Sequence, residues 1–217
     1  MIRSILFSFP LLALLTSCSS TGSDKGAATG KTAEHAANQI ELGSTQLDAT
    51  LAALKDLVKN PAPDLAPQFK AYTKSLAQLE ATAEGVAELA ASIETKSQEY
   101  FAQWDGQLAA VQNEDIRARS AERKEAISAS FKKIQSEYAE VREEFKPMLS
   151  DLRDIRTVLS SDLTMDSLKA IEGTVKDVAK ESESVKESLV ELTEKFRALG
   201  VKLSRSGPSA PAPEKKK

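Results

Sequence analysis

The chain has almost none of the residues that most redox and metal sites require. It contains one cysteine, Cys18, and one histidine, His35, in 217 residues. A single cysteine excludes an intramolecular disulfide framework. A single histidine excludes the di-metal carboxylate sites of helical bundles, which use two Glu-x-x-His motifs, and leaves no credible base for a Ser-His-Asp or Cys-His set. We therefore expect a protein that is not an enzyme and that holds no metal or cofactor.

Aromatic residues and an excess of either charge are also scarce. Aromatic residues make up 5% of the chain, and its formal net charge is −3. This slight acidity gives no electrostatic reason to expect nucleic acid as a partner. The chain is instead 41% hydrophobic and 28% charged, and its abundance of Ala, Leu, Glu and Lys favours long helices.

An apolar run opens the chain but is too short to span a membrane. It extends from Ile5 to Leu15 and is interrupted by Ser8 and Pro10. A membrane-spanning helix needs about 20 apolar residues. The run therefore predicts a signal peptide over residues 1–17.

The residues that close this run, Leu15-Thr16-Ser17-Cys18, resemble the lipobox of bacterial lipoproteins. The resemblance implies that the mature chain begins at Cys18, carries acyl chains there and is tethered to a membrane of the cell envelope. Two or three acyl chains make such an anchor effectively permanent, since each buried CH₂ contributes about 0.8 kcal/mol. In the sorting systems of such lipoproteins, Asp directly after the cysteine is a retention signal. The residue here is Ser19, so the resemblance implies the periplasmic face of the outer membrane. The alternative is an ordinary cleaved secretory signal beside an incidental cysteine.

Low-complexity segments flank the central part of the chain. Residues 18–31 are mostly Ser, Thr, Gly and Ala, a composition that predicts a flexible tether from Cys18. Residues 205–217 are rich in Pro, Ala and Lys and predict an extended, disordered tail. Residues 32–204 form the expected helical bundle domain.

Within this domain, apolar residues recur at alternating spacings of three and four, which places a narrow stripe along a helix. Four such stripes cover residues 33–58, 65–111, 127–159 and 168–203. They are separated by Asn60-Pro61-Ala62-Pro63, by Asn113 as a helix N-cap, and by a turn near Ser160. Strand patterning, which would alternate every second residue, is absent from the sequence.

The stripes predict an all-α protein: an elongated antiparallel coiled-coil-like bundle of three long helices plus one shorter N-terminal helix. Because the first helix is the shorter one, we expect four helices in cross-section near the Pro61 and Ser160 turns and three near the Asn113 turn. Pro147 lies within the third stripe, where it removes a helical hydrogen bond and predicts a kink without a break.

From about Tyr100 to Leu168 the chain resembles a bacterial family of helical proteins known as domain of unknown function 2959. The likeness is carried by Phe101, Trp104-Asp105, Leu108, Asn113, Ile116-Arg117, Ser120, Tyr138, Pro147-Met148-Leu149, Asp154 and Leu163. The resemblance implies a helical fold and no particular activity. At the third turn, where the family pattern is Lys-His-Asn-Leu-Asn, this chain has Ser160-Ser161-Asp162-Leu163-Thr164, so any chemistry of that lysine and histidine is lost here.

Part of this likeness falls at the hairpin tip near Asn113. In an antiparallel pair that turns there, Trp104 lies opposite roughly Ser120 and Ala121, with Arg117 about one turn away. We hypothesise that Trp104 packs at the tip, with Arg117 over its face or paired to Asp105, and so sets the register of the two helices. A partner-binding tip would use Trp104, Arg117, Arg119 and Arg123 instead.

Two further patterns are interpreted as structural. Residues 26–32 read Gly-Ala-Ala-Thr-Gly-Lys-Thr, which is one residue short of a phosphate-binding loop and does not follow a strand. Glu80, Glu84 and Glu88 form an acidic row off the apolar stripe, which is typical of a solvated helix face. His35, also off the stripe, is expected to be a solvated surface residue.

Three functions remain open. The leading one is a non-catalytic lipoprotein of the cell envelope whose bundle acts as a spacer, a scaffold or a partner-binding module. The second is an amphipathic carrier of lipid or another apolar ligand, because small residues at Ala83, Ala90 and Ser97 thin the second stripe and leave room for a groove. The third is a structural lipoprotein attached to peptidoglycan through Lys217, as in the major outer-membrane lipoprotein that the lysine ending resembles.

The expected partners follow from these alternatives. The chain meets the membrane through lipidated Cys18, and its bundle meets envelope proteins or a second copy of itself. Lys215, Lys216 and Lys217 lie near peptidoglycan, or near an anionic surface that each lysine favours by about 1 kcal/mol.

Overall fold

The structure, a computed structural model, describes residues 21–204. The predicted signal peptide, Cys18 and the tail from residue 205 onward lie outside the described residues. Four α-helices make up almost all of residues 21–204: α1 Gly22–Lys59, α2 Ala66–Ala109, α3 Glu114–Ser161 and α4 Met165–Ser204. Within this range the chain contains no strand, and the predicted all-α bundle is confirmed.

The helices run up and down, each antiparallel to its neighbours. α1 packs against α2 and α4, and α3 packs against α4 and α2, so the helices form a ring of four. One end of the bundle holds the start of α1, the α2–α3 turn and the end of α4. Here Gly22 approaches Gln107, and Gly30 approaches Gly200. We call it the α2–α3 end; the other two turns form the opposite end.

The turns lie where the sequence predicts them. α1 ends at Lys59, immediately before the segment that contains Pro61. The side chain of Asn113 caps α3 by accepting a hydrogen bond from the backbone nitrogen of Ile116 at 3.0 Å. Acidic residues fill the first turn of α3, where the helix dipole favours negative charge.

The buried stripes form two clusters along the bundle axis. One lies toward the opposite end and includes Leu54, Tyr72 and Leu152. The other lies toward the α2–α3 end and includes Ile40 and Phe131. Each large apolar side chain buried in this way contributes about 1.5–3 kcal/mol. The hydroxyl of the fully buried Tyr72 donates a hydrogen bond to the carbonyl oxygen of Leu152 at 2.5 Å, which satisfies the one polar atom of that side chain.

The start of α1 overturns the predicted tether. Residues 22–31 are helical. The hydroxyl of Thr21 accepts a hydrogen bond from the backbone nitrogen of Asp24 at 3.2 Å, and the Asp24 carboxylate accepts one from the backbone nitrogen of Thr21 at 2.8 Å. This reciprocal arrangement is a capping box, which stabilises a helix start. Residues 26–32 are thus part of a helix and do not form a phosphate-binding loop.

Glycines explain why the polar start of α1 packs closely against α2 and α4. Gly22, Gly26 and Gly30 recur at every fourth position, and all three are buried. A Cβ atom at Gly30 would lie 3.0 Å from the backbone oxygen of Gly200 on α4, and one at Gly26 would lie 3.0 Å from the ring of Tyr100 on α2. The missing side chains let α1 approach both neighbours closely, and this packing outweighs the weak helix propensity of glycine.

The extended α1 changes the cross-section of the bundle. α1 has 38 residues, against 44, 48 and 40 for α2, α3 and α4, so it is the shortest helix by a small margin. Because it reaches Gln107 near the end of α2, four helices are present at the α2–α3 end as well. The prediction of three helices near the Asn113 turn is wrong.

Pro147 lies inside α3, which continues through it as one helix. The missing break agrees with the unbroken stripe of residues 127–159, since Met148 and Leu149 beside the proline are both buried. The kink at Pro147 stays a prediction.

Replacing Gly30 with leucine should separate α1 from α4. The added atoms cannot fit beside the Gly200 backbone, so we expect the free energy of unfolding to fall by about 1–3 kcal/mol. Gly173→Ala is the control, because a Cβ there meets nothing within 4 Å, and it should raise stability by about 0.5–1 kcal/mol. Thermal unfolding followed by circular dichroism measures both. A Gly30→Leu protein as stable as the wild type would show that the glycine contact is dispensable.

Candidate functional site: a groove between α2 and α3

A groove of about 920 Å³ opens on the side of the bundle between α2 and α3. These two helices contact each other less than any other neighbouring pair, and the groove occupies the gap. Ile40 and Gly43 of α1 and Leu189 and Leu192 of α4 form its floor. Pockets that bind small molecules usually measure about 300–1,000 Å³, so the groove is large enough for such a ligand.

The two walls of the groove differ in the size of their side chains. The α2 wall consists largely of small residues, among them Ala77, Ala81, Thr82, Ala83 and Ala87. The α3 wall carries Tyr138, Val141, Phe145 and Leu149. Because the short α2 side chains do not reach across the seam, Tyr138, Val141 and Phe145 remain only half-buried. The groove thus exposes apolar surface in the middle of the bundle, between the two core clusters.

The sequence anticipates one of the groove residues correctly. Ala83, Ala90 and Ser97 are the small residues predicted to thin α2. Ala83 lines the groove, whereas Ala90 and Ser97 are not among its lining residues. Ser97 is buried closer to the α2–α3 end, where its hydroxyl donates to the Glu94 carbonyl oxygen at 2.7 Å.

Three charged side chains bridge α2 and α3 at one end of the groove. The Glu80 carboxylate accepts hydrogen bonds from Arg153 Nε at 2.6 Å and Arg156 Nη1 at 3.0 Å. Burial alone raises the pKa of Glu80, but the bonds from both arginines outweigh that effect and hold its pKa below the usual range. The interpretation of Glu80 as part of a solvated face is wrong, because its side chain is only 21% exposed. Glu84 and Glu88 are exposed.

Cationic side chains outnumber carboxylates around the groove. Four cations, Arg142, Lys146, Arg153 and Arg156, and two carboxylates, Glu80 and Glu84, line it, which leaves a net charge of +2. Lys146 also pairs with the neighbouring Glu143. Among residues 21–204, Arg142 forms no salt bridge. The groove is therefore positively charged in a chain whose formal net charge is −3.

Tyr138 lies one helical turn before Arg142 at the edge of the groove. Burial raises the pKa of the Tyr138 hydroxyl, and Arg142 partly offsets this effect. The hydroxyl therefore stays protonated at neutral pH and is a hydrogen-bond donor. Within the described part of the chain it forms no hydrogen bond, so its donor capacity remains available to a ligand.

The structure brings together only part of the predicted tip. Trp104 Nε1 donates a hydrogen bond to Ser120 Oγ at 2.9 Å, so Trp104 lies opposite Ser120, where the register of an antiparallel pair places it. The indole also packs against the ring of Tyr100, with 5.3 Å between the ring centroids. Trp104 is half-buried, which suits a residue that joins α2 to α3.

The predicted role of Arg117 is wrong. Asp105 pairs with Lys124 of α3, and the Arg117 guanidinium lies 3.9 Å from the Glu114 carboxylate on its own helix. Lys124 lies almost two turns beyond Arg117, so α2 and α3 are linked by a cation that the tip hypothesis does not include. The use of the tip for partner binding stays a prediction.

The stretch at residues 160–164, where the chain departs from the family pattern, forms the α3–α4 turn. The Asp162 carboxylate accepts a hydrogen bond from Ser167 Oγ at 2.6 Å. Thr164 Oγ1 accepts one from the backbone nitrogen of Ser167 at 3.3 Å. Short polar side chains thus close the turn and begin α4.

Between residues 21 and 204, no group of three or more His, Cys, Asp and Glu side chains is placed to hold a metal ion. In the same range, no helix combines the length and the apolarity that crossing a bilayer requires. His35 is exposed on α1.

Comparison with known proteins identifies the family. A family model described as "Protein of unknown function (DUF2959)" matches residues 16–196. The chain belongs to this family. The match extends well beyond the residues near Tyr100 to Leu168 that carry the likeness in the sequence, and it includes α1, α2, α3 and most of α4. No curated protein and no solved structure matches the chain.

The sequence does not reveal the groove residues Glu80, Tyr138 and Arg142 as a group. Each lies on a different part of a helical pattern, with Glu80 at one end of the groove and Tyr138 and Arg142 toward the other. They line one groove only because α2 and α3 contact each other so little. The one available signal is the pairing of an alanine-rich α2 segment with an aromatic segment on α3, which the antiparallel register places side by side.

Glu80→Gln should weaken the link between α2 and α3 in a pH-dependent way. Because the pKa of Glu80 is lowered in the folded protein, its stabilisation is fully present above the pKa of the unfolded chain and is lost as the pH falls through the folded value. We expect the variant to lose about 1 kcal/mol of stability at pH 7 and to match the wild type once the pH is well below the folded pKa of Glu80.

Denaturant unfolding of both proteins at several pH values measures this difference. Glu84→Gln, one turn further along α2, is the matched control and should leave the stability almost unchanged at every pH. A difference between Glu80→Gln and the wild type that stays constant as the pH is lowered would show that the loss does not come from the ionised carboxylate.

Proposed function

We propose that the chain is a non-catalytic lipoprotein of the cell envelope, anchored through Cys18 to the periplasmic face of the outer membrane. Its bundle serves as a scaffold or partner-binding module. The single observation that supports this assignment best is the motif Leu15-Thr16-Ser17-Cys18 at the end of the apolar run. The helix cap at Thr21 leaves only Ser19 and Ser20 between the predicted anchor and the bundle.

Such a short link determines which end of the bundle faces the membrane. The three residues from Cys18 to Thr21 span at most about 11 Å. The α2–α3 end therefore stands against the bilayer, and the opposite end lies about 60–70 Å away, the length of the helices. Ile116, 59% exposed in the first turn of α3, is at the membrane-facing end.

Labelling of growing cells with an alkyne-bearing fatty acid tests the anchor. We expect the wild-type protein to incorporate the label and Cys18→Ser to lose it completely. Cys18→Ser combined with Ser20→Cys is the matched control, because it keeps one thiol but moves it away from the signal peptide junction, and it should stay unlabelled. An unlabelled wild-type protein that is soluble in the periplasm would contradict the proposal.

The single tryptophan of the chain, Trp104, tests the orientation. In phosphatidylcholine vesicles that contain a lipid with a spin-labelled head group, we expect strong quenching of Trp104 fluorescence. Trp104→Phe combined with Phe69→Trp moves the tryptophan about 50 Å along α2 and should abolish most of the quenching. Equal quenching of the two proteins would show that the bundle lies flat on the membrane or is anchored differently.

A second candidate function is a carrier of an apolar ligand, and the groove between α2 and α3 specifically favours it. A bundle that served only as a spacer would gain stability from large apolar side chains at Ala83 and Ala87, since these would cover Phe145. The observed groove leaves that surface open to a ligand.

Attachment to peptidoglycan through Lys217 is the least favoured alternative. The end of α4 lies at the α2–α3 end, where Leu203 and Ser204 approach Gly30. The last described residue, Ser204, is therefore at the end of the bundle that is proposed to face the membrane. Lys215, Lys216 and Lys217 follow this end in the sequence, and we propose that they meet anionic head groups, to which each lysine contributes about 1 kcal/mol.

A further inference from the structure

We propose that the groove between α2 and α3 binds an amphiphile with one acyl chain and one anionic head, a carboxylate or a phosphate. The head binds beside Tyr138 and Arg142, and the chain lies along the groove. This inference rests on the carrier function proposed above and names the class of its ligand.

The apolar surface of the groove accounts for the chain of the ligand. Val141 and Phe145 are half-buried on one wall, while Leu189 and Leu192 form part of the floor. Along α3 the lining extends from Tyr138 to Arg156, which is about 27 Å of helix. A long groove with one helix on each side suits a single extended chain.

The charges around the groove account for the head. Arg153 and Arg156 are held by Glu80 at one end. Arg142 forms no salt bridge in the described range, and the hydroxyl of Tyr138 is protonated and has no acceptor. A guanidinium and a neighbouring hydroxyl donor form a natural site for a carboxylate or phosphate.

The same charges argue against two other occupants. A cationic amphiphile would meet a net charge of +2 among the lining side chains. A second copy that docked through the same face in a symmetric dimer would bring two positive grooves together. An anionic ligand is the one that the charge of the groove attracts.

Photolabelling of the full chain in phosphatidylcholine vesicles tests the proposal. The probe is a fatty acid with a diazirine on its chain, and labelled peptides are identified by mass spectrometry. We expect labels in residues 77–87 and 138–149. An excess of dodecanoate or dodecyl phosphate should compete, and the preferred one distinguishes the two heads. Dodecyltrimethylammonium should not compete.

Variants separate the chain site from the head site. Ala87→Phe fills the groove and should reduce labelling at least tenfold while circular dichroism shows an unchanged helix content. Arg142→Gln should reduce labelling about fivefold, as expected for the loss of one partly exposed ion pair. Lys132→Gln removes an exposed cation from the same helix outside the groove and is the control; it should label like the wild type. Tyr138→Phe removes only the hydroxyl. It tests the binding site in place of Ala87→Phe if that variant fails to fold.

The outcomes distinguish the ligand class from the carrier function. If a diazirine-bearing alcohol of equal length labels the groove as strongly as the acid, the carrier function stands and the anionic head is wrong. If neither probe labels the groove, the carrier function and the anionic ligand are both wrong. The proposed lipid anchor at Cys18 is not affected by that result. Links between the grooves of two copies, detected in a separate experiment with a bifunctional crosslinker, would replace the ligand with a dimer and overturn the inference.

Discussion

Burial of four apolar stripes along nearly the whole length of four helices is the constraint on which the structure depends. Where the stripes carry large residues, as at Leu54 and Leu152, the core is closed and fully buried. Where α2 carries alanine, the seam to α3 stays open and the core divides into two clusters. The groove thus reflects both the small side chains on one face of α2 and the low contact between α2 and α3, which touch less than any other neighbouring pair.

Charged side chains hold α2 and α3 together where apolar packing does not. Glu80 with Arg153 and Arg156 links them beside the groove, and Asp105 with Lys124 links them near the tip. Partly exposed pairs of this kind contribute little each, so this seam is the weakest of the bundle. A seam that is weak, apolar inside and cationic at its rim is suited to admitting an amphiphile without unfolding the rest of the bundle.

The glycine ridge of α1 connects the fold to the proposed location of the protein. Gly22, Gly26 and Gly30 pack the start of α1 against α2 and α4, and the capping box at Thr21 fixes the first helical residue at Gly22. If Cys18 carries the anchor, no long flexible segment separates the bundle from the membrane. The bundle then projects from the bilayer as a rod, with its groove on the side, partway along the rod.

The sequence by itself determined the fold class and the turns at Pro61 and Asn113, and it placed Trp104 across the hairpin from the region of Ser120 and Ala121. Repeat length, capping residues and the position of the turn can all be read from the chain itself. Tertiary structure decided the rest. Glycine at every fourth position signals flexibility in isolation and becomes a close helix contact only when Gly200 and Tyr100 lie opposite. Likewise, Glu80 lies off the apolar stripe, and only the distance between α2 and α3 places two arginines against it. Both outcomes depend on atoms distant in sequence, whose positions no local pattern specifies.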